Sequence, residues 1–320
     1  AIWDKELVDE YSLDIKSLTT LDSLTETFEK LKADKNDYPV YIKNDGLYYI
    51  FDVYDQIGAG TQILGVRFDD KEGRVCFTLE EPDIMNQLKT IHEWNKKGII
   101  NPDAATLTEG RVYNMWRVAQ GWESAGVTSW GPQMGKEVAV QKVGDTILSN
   151  ETVRGSLNMV SINTKYPEKC LQLLDLINTD TKLRDMFYYG EEGVNFEYTA
   201  DGKAHKINND WAMAGYTQAS YFTVTQVDTD EYDQWGEIKE LNEQAVSSVM
   251  LGFTFDTAEV SDKLANCREI WMRYRSEVMT GVQDPAVAVP KIKEELMKAG
   301  WQDVMDAAQK QVDEYMAAKK

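Results

Sequence analysis

The chain is poor in the residues that build catalytic metal centres and nucleophilic relays. Two histidines, His92 and His205, and three cysteines, Cys76, Cys170 and Cys267, serve 320 residues. The stretch "HEWNK" puts Glu93 after His92, but Lys96 stands where the second ligand of an HExxH zinc helix belongs, so His92 reads as a helix-face residue. The cysteines are odd in number, widely spaced and outside any CxxC pattern, which argues against a disulfide framework or zinc site and for three small buried apolar residues. There is no GxSxG elbow and no P-loop, and "GAGTQILG" at 58–65 is no dinucleotide fingerprint. "DTDEYDQWG" fails as a calcium loop, because Tyr232 takes its fifth position and no glycine its sixth. Catalytic residues, metal ligands and cofactors are therefore expected to be absent. No apolar run reaches 18 residues, so nothing in the sequence reads as a spanning helix. The opening "AIWDKELVDEYSLD" lacks the regions of a signal peptide, as any mature or truncated chain would. Positive charge is also scarce. Lys and Arg number 34 against 54 Asp and Glu, a net charge of −20 that repels phosphate backbones and anionic lipid surfaces.

What the chain does have is length for about two domains and strong local signals. "TTLDSLTETFEKLKADK" places Leu21, Leu24, Phe28 and Leu31 at helical spacing behind hydroxyl caps and predicts a helix from about 21 to 33. "YPVYIKNDGLYYIFDVYD" reads as two strands around an Asn44-Asp45-Gly46 turn. Pro82 and Gly98 bracket another helix. "GRVYNMWRV", "KEVAVQKVG" and "GSLNMVSI" read as short strands. Two helices follow Pro167, parted at Asn178-Thr179-Asp180 and stopped by Gly190. From Glu231 on the chain reads as mostly helical, and Val260, Leu264, Cys267, Trp271, Tyr274 and Val278 make one buried stripe. This is an α/β chain with a helical C-terminal third.

Nine Trp and sixteen Tyr include several interleaved with polar residues where loops belong: "YYIFDVYD", "NMWRVAQGW", "TSWGP", "NNDWAMAGY" and "ASYF". Sugars offer C–H patches on one face and hydroxyls around the rim. Flat rings beside Asp, Asn or Arg suit them, although most aromatics in any chain are core. So acidic a chain also offers many carboxylate pairs, so a glycoside-acting enzyme using two of them stays open.

The order of elements resembles that of the extracellular solute-binding proteins of ABC importers, in particular the lipoprotein-type sugar-binding subfamily. The likeness rests on "WDKELVDEYSLDIKSLTTLDSLTETFEKLKA", "GRVYNMWRV", "VSINTKYPEKCLQLLDLINTD", "FYYGEEGVNFEY" and "LGFTFDTAEV". It implies a periplasmic-binding-protein-like two-lobe fold of type II that closes on a ligand in the cleft by hinge motion. In the family the aromatic–Lys-Asp-Leu segment follows about a hundred residues of the first lobe. Here it begins at Trp3, so the N-terminal lobe is expected to be incomplete. The implied division is 1–144 as the first part of lobe II, 145–210 as a remnant of lobe I, and 211–320 as a helical region packing mainly on lobe II.

The resemblance also implies a site: Tyr54, Trp116, Trp122 and Trp211 stacking on a carbohydrate, with Asp52, Asp55 and Arg117 binding hydroxyls. It implies a monomeric partner of membrane permease subunits, lipid-anchored on the extracellular face in its full form or held in a periplasm. A peptide-binding transport protein and a scaffold or adhesion role are the other readings. In "LGFTFDTAEV", Phe253 and Phe255 are expected to pin the C-terminal helices, Thr257 to cap the next helix and Asp256 to suit its dipole.

Overall fold

The structure is a computed structural model that describes residues 1–319 except 59, 212, 214 and 216. It divides into two compact units, Ala1–Glu151 with Ala245–Lys320, and Thr152–Gln244.

Unit 1 is built on two small antiparallel sheets among helices. In the first, β1 (Ile2–Asp4) lies between β5 (Trp116–Arg117) and β6 (Val138–Val140). In the second, β2 (Tyr54–Gln56), β3 (Leu64–Arg67) and β4 (Val75–Phe77) form a meander. A parallel pair, β7 (Ile147–Leu148) with β10 (Val246–Ser247), joins the segments next to the two points where the chain passes between units.

Helix Leu21–Asp34 starts where its sequence says it should: Thr20 and Ser23 exchange side-chain and backbone hydrogen bonds in a capping box, and Leu21, Leu24, Phe28 and Leu31 are buried. Helix Pro82–Lys96 has proline in its first turn, where a missing N–H costs nothing, and Gly98 beyond its end at φ +67°. His92 spends its Nδ1 on the Gly281 carbonyl at 2.7 Å, the helix-face role expected of it. Phe28, Trp94, Trp116 and Trp3 nest edge to face at the centre of the unit, with centroids 5.1 to 6.5 Å apart. Helices Ser261–Met279, Pro285–Lys298 and Trp301–Ala318 close over the meander.

The link "LGFTFDTAEV" is structural. Phe253 and Phe255 are buried, and the Phe253 ring lies 5.4 Å from that of Tyr315, whose hydroxyl donates to the Leu251 carbonyl. Thr257 does not cap: the helix begins at Ser261 behind Val260 with no side-chain cap, and the Thr257 carbonyl receives the Val260 N–H instead. Asp256 closes a turn on the Ala258 N–H.

Unit 2 holds helices Pro167–Thr179, Thr181–Tyr189 and Gln234–Glu243 and one hairpin, β8 (Phe196–Tyr198) with β9 (Ala204–Lys206). It reaches Gln244 rather than residue 210 because the later segment is tied to the earlier one. Arg184 donates to the carbonyls of Ser220 (3.1 Å) and Gly215 (3.0 Å), and Tyr189 to that of Thr225 (2.5 Å).

Of the expected strands, those in "YPVYI" and "GSLNMVSI" are not formed, and the second strand of the hairpin forms only from Tyr54 on. In "YPVYI" only Val40 bridges, to Ile100 and Trp116, and Tyr48–Phe51 coils into a 3-10 turn. Gly46 does turn the chain, at φ +64°, and a Cβ there would come within 2.2 Å of the Met279 carbonyl oxygen. "GSLNMVSI" finds no partner strand among the described residues, and β propensity has no effect without one. Cys76 and Cys267 are buried, whereas Cys170 is half-buried; all three are free thiols. Burial pushes the Cys76 thiol up to about 12 and that of Cys267 to about 11, so both stay protonated.

Candidate functional site

The expected site residues separate into three places. Asp52, Tyr54 and Asp55 lie where the 3-10 turn enters β2. The Asp52 carboxylate meets solvent but is crowded by protein and by Glu151; together they raise its pKa to about 6. Tyr54 is turned inward at 4% exposure. Its hydroxyl donates to Asp83 at 2.8 Å, and the Arg67 guanidinium lies 5.8 Å from its ring centre. Asp55 is buried, receiving the Asn150 amide at 3.3 Å, and the same Asn150 side chain donates to the Met250 carbonyl at 2.7 Å. Tyr54 and Asp55 therefore serve the interior of unit 1 rather than a ligand.

Trp116 and Arg117 occupy opposite faces of β5. Trp116, at 2% exposure, faces the aromatic nest, so stacking on a ligand does not fit it. Arg117 stands across from Ile2, which pairs in turn with Val140. Segment 126–131 lies against that second face: a Cβ on Gly126 would meet the Val140 methyl at 2.6 Å. The half-buried Trp122 leads into this segment. Gly121 lets the Trp130 ring lie directly on the backbone there, 2.4 Å from where a Cβ would be. Trp211 belongs to unit 2, is 48% exposed, and donates its indole N–H to the Phe187 carbonyl at 3.0 Å. Its neighbours Ala212, Ala214 and Tyr216 in "NNDWAMAGY" lie outside the described residues.

Unit 1 also contains a cavity of about 350 Å³. Its apolar lining includes Leu18, Leu24, Tyr49 and Trp116. Its polar side is one face of helix Pro82–Lys96 (Asp83, Asn86, Gln87 and Thr90) together with Asp22 from the start of helix Leu21–Asp34. Asp83 is held by Tyr54 and by Arg67 at 2.6 Å, and Thr90 donates to Asp22. The Asn86 side-chain amide makes no hydrogen bond among the described residues and is exposed. Roughly 300–1,000 Å³ is ordinary for a small-ligand site, and an apolar floor with a few placed polar groups is its usual make-up. Asp83, Asn86, Gln87 and Thr90 went unnoticed in the sequence. Their signal was present: steps of three, one and three set them on one helix face, opposite the buried Ile84, Leu88 and Ile91.

Among the described residues no group of three or more His, Cys, Asp or Glu side chains is arranged to hold a metal ion, and no helix is long and apolar enough to cross a membrane.

Comparison with known proteins adds three findings. A family model described as "Domain of unknown function (DUF3502)" matches residues 249–317, the link and the three C-terminal helices. A "Carbohydrate ABC transporter substrate-binding protein" of Streptococcus pneumoniae serotype 4 is 26% identical, and the alignment covers 98% of this chain and 66% of that protein. The chain thus spans about two thirds of that relative's length. Among solved structures, the N-glycan transport solute binding protein NgtS of S. pneumoniae superposes with a TM-score of 0.88 at 23% identity, over 100% of this chain and 73% of that one. The same protein in complex with Man5GlcNAc gives 0.83 at 22%, over 100% and 72%. The two-lobe solute-binding-protein fold expected from the sequence is the fold of this chain.

Proposed function

We propose, on the premise that this chain is a relative of the extracellular solute-binding proteins of ABC importers, that it captures a carbohydrate and delivers it to membrane permease subunits without altering it. The supporting observation is an aromatic and aliphatic cavity floor opposed by amide and carboxylate groups, in a chain aligned over 98% of its length with a carbohydrate ABC transporter substrate-binding protein. Tyr49 offers the C–H face of a pyranose a flat ring. Asn86, Gln87 and Thr90 offer its hydroxyls donors and acceptors. Trp122 and Arg117, on the face of the β5 sheet away from the cavity, offer a separate contact patch for an oligosaccharide, and Asp52 adds an acceptor beside Tyr49. No step here needs a nucleophile or a paired acid and base, and the relatives named above are binding proteins. In this reading the protein is a monomer working outside the cytoplasmic membrane, tethered by a lipid or free in a periplasm.

A thermal-shift screen of oligosaccharides and peptides tests the assignment. A ligand that binds only the folded chain raises the melting temperature by mass action. Upward shifts with one class of oligosaccharide and none with peptides are expected; shifts with peptides alone would replace the carbohydrate by a peptide.

A further inference from the structure

Arg117 is out of keeping with the rest of the chain's arginines. Arg67, Arg74, Arg111 and Arg273 each hold a carboxylate at 2.6 to 2.8 Å, and Arg184 and Arg275 donate to carbonyl and amide oxygens at 3.0 to 3.1 Å. The Arg117 side chain makes no hydrogen bond or ion pair among the described residues. Its Nε is shut away from solvent without a partner, while its two terminal nitrogens, equally unpartnered, are not. Burial alone lowers its pKa, with no acidic neighbour acting on it. A half-desolvated, unpaired cation costs free energy that the fold does not recover. The open edge of the guanidinium is a planar two-donor fork, whose geometric match is a carboxylate. The fork lies on the sheet face against which segment 126–131 packs, the segment Trp122 leads into.

We propose that Arg117 determines specificity for an acidic glycan, its guanidinium receiving the carboxylate of a uronic or sialic acid residue. This rests on the carbohydrate-binding reading and narrows its substrate class. The net charge of −20 opposes an anion at long range, but at physiological salt that field is screened beyond about 8 Å, so the contact is local.

The test is calorimetric titration of the intact protein with glucuronate- and sialate-terminated oligosaccharides and their carboxyl-reduced, neutral counterparts. An acidic member is expected to bind about 10-fold more tightly than its neutral twin. Arg117→Gln should erase that ratio, the acidic member losing about 10-fold more affinity than its neutral twin. Arg117→Lys, which keeps the charge but loses the fork, should retain part of it. Equal affinities for the twins, or an equal loss for both in Arg117→Gln, would overturn the proposal and leave the carbohydrate assignment standing. Failure of every glycan, neutral or acidic, to bind would remove that assignment, and the proposal with it.

Discussion

The two units are held together by different forces. Unit 1 buries a continuous apolar core that runs from Trp3 through Phe28, Trp94 and Trp116 to the C-terminal helices. Unit 2 buries four hydrophobic residues as its cluster, Tyr189, Phe196, Ala204 and Val224, and sets a polar centre beside them. There the buried Asp185 accepts from the Thr225 N–H (2.8 Å), the Thr225 hydroxyl (2.5 Å) and the Tyr198 hydroxyl (2.8 Å). The buried Arg184 next to it donates to two carbonyls. Meanwhile Met159 and Ile162 stand 89% and 98% exposed. Apolar burial scales with area and tolerates imperfect geometry; a buried hydrogen-bonded network does not. Unit 1 is therefore the robust scaffold of the candidate site, and unit 2 the part most sensitive to a single polar change.

The largest expected effect breaks unit 1. Trp94→Ala removes a fully buried ring packed on Phe28 and Trp116 and frees the Thr25 hydroxyl it bonds at 2.9 Å. Denaturant unfolding should show a loss of about 3–5 kcal/mol; a loss below about 1 kcal/mol would mean the aromatic nest is not the centre of the unit.

Next comes the polar centre of unit 2. Asp185→Ala leaves two hydroxyls and an N–H without their acceptor and should cost about 2–4 kcal/mol. Hydrogen exchange should rise within 152–244 and stay level in helices Leu21–Asp34 and Pro82–Lys96. Uniform loss of protection in both units would erase the distinction drawn above.

Smaller still is a change at the surface of unit 1. Trp122→Ala should weaken oligosaccharide binding by roughly 1–2 kcal/mol with a smaller fall in melting temperature than Trp94→Ala, because its ring is only half-buried. Unchanged affinity would take Trp122 out of the site.

The smallest effect concerns pH. Asp52 has a folded pKa raised to about 6, so the folded chain binds a proton the unfolded chain has released. Its contribution to stability is full below the ordinary aspartate value near ~4 and is lost as pH climbs through 6. Asp52→Asn should match the parent at pH 4 and melt slightly higher at pH 7. A variant less stable at pH 7 would reverse the sign assigned to this residue.

The sequence made the helices legible because their ends are written locally: Thr20 with Ser23, Pro82 with Gly98, Pro167 and Gly190 each act within a turn of the chain. The strands were less legible. β5 has two residues and owes its place to Ile2 and Trp3, more than a hundred positions away, and "GSLNMVSI" has strand composition without a strand partner. The site was the least legible part. Aromatic residues drew attention to Trp116 and Tyr54, yet the same size and apolarity that suit a sugar also suit a core, and burial decided for the core. The polar helix face with Asn86 and Thr90 was hidden because an exposed polar stripe is what every amphipathic helix shows.

The central claim is that this chain holds a glycan and leaves it whole. Isothermal titration of the intact protein with Man5GlcNAc-type and acidic oligosaccharides, followed by mass analysis of the recovered sugar, addresses it in one experiment. Saturable one-to-one heats with at least one glycan, recovered at its starting mass, are the predicted result. Flat heats throughout, or a glycan recovered shorter than it went in, would contradict it.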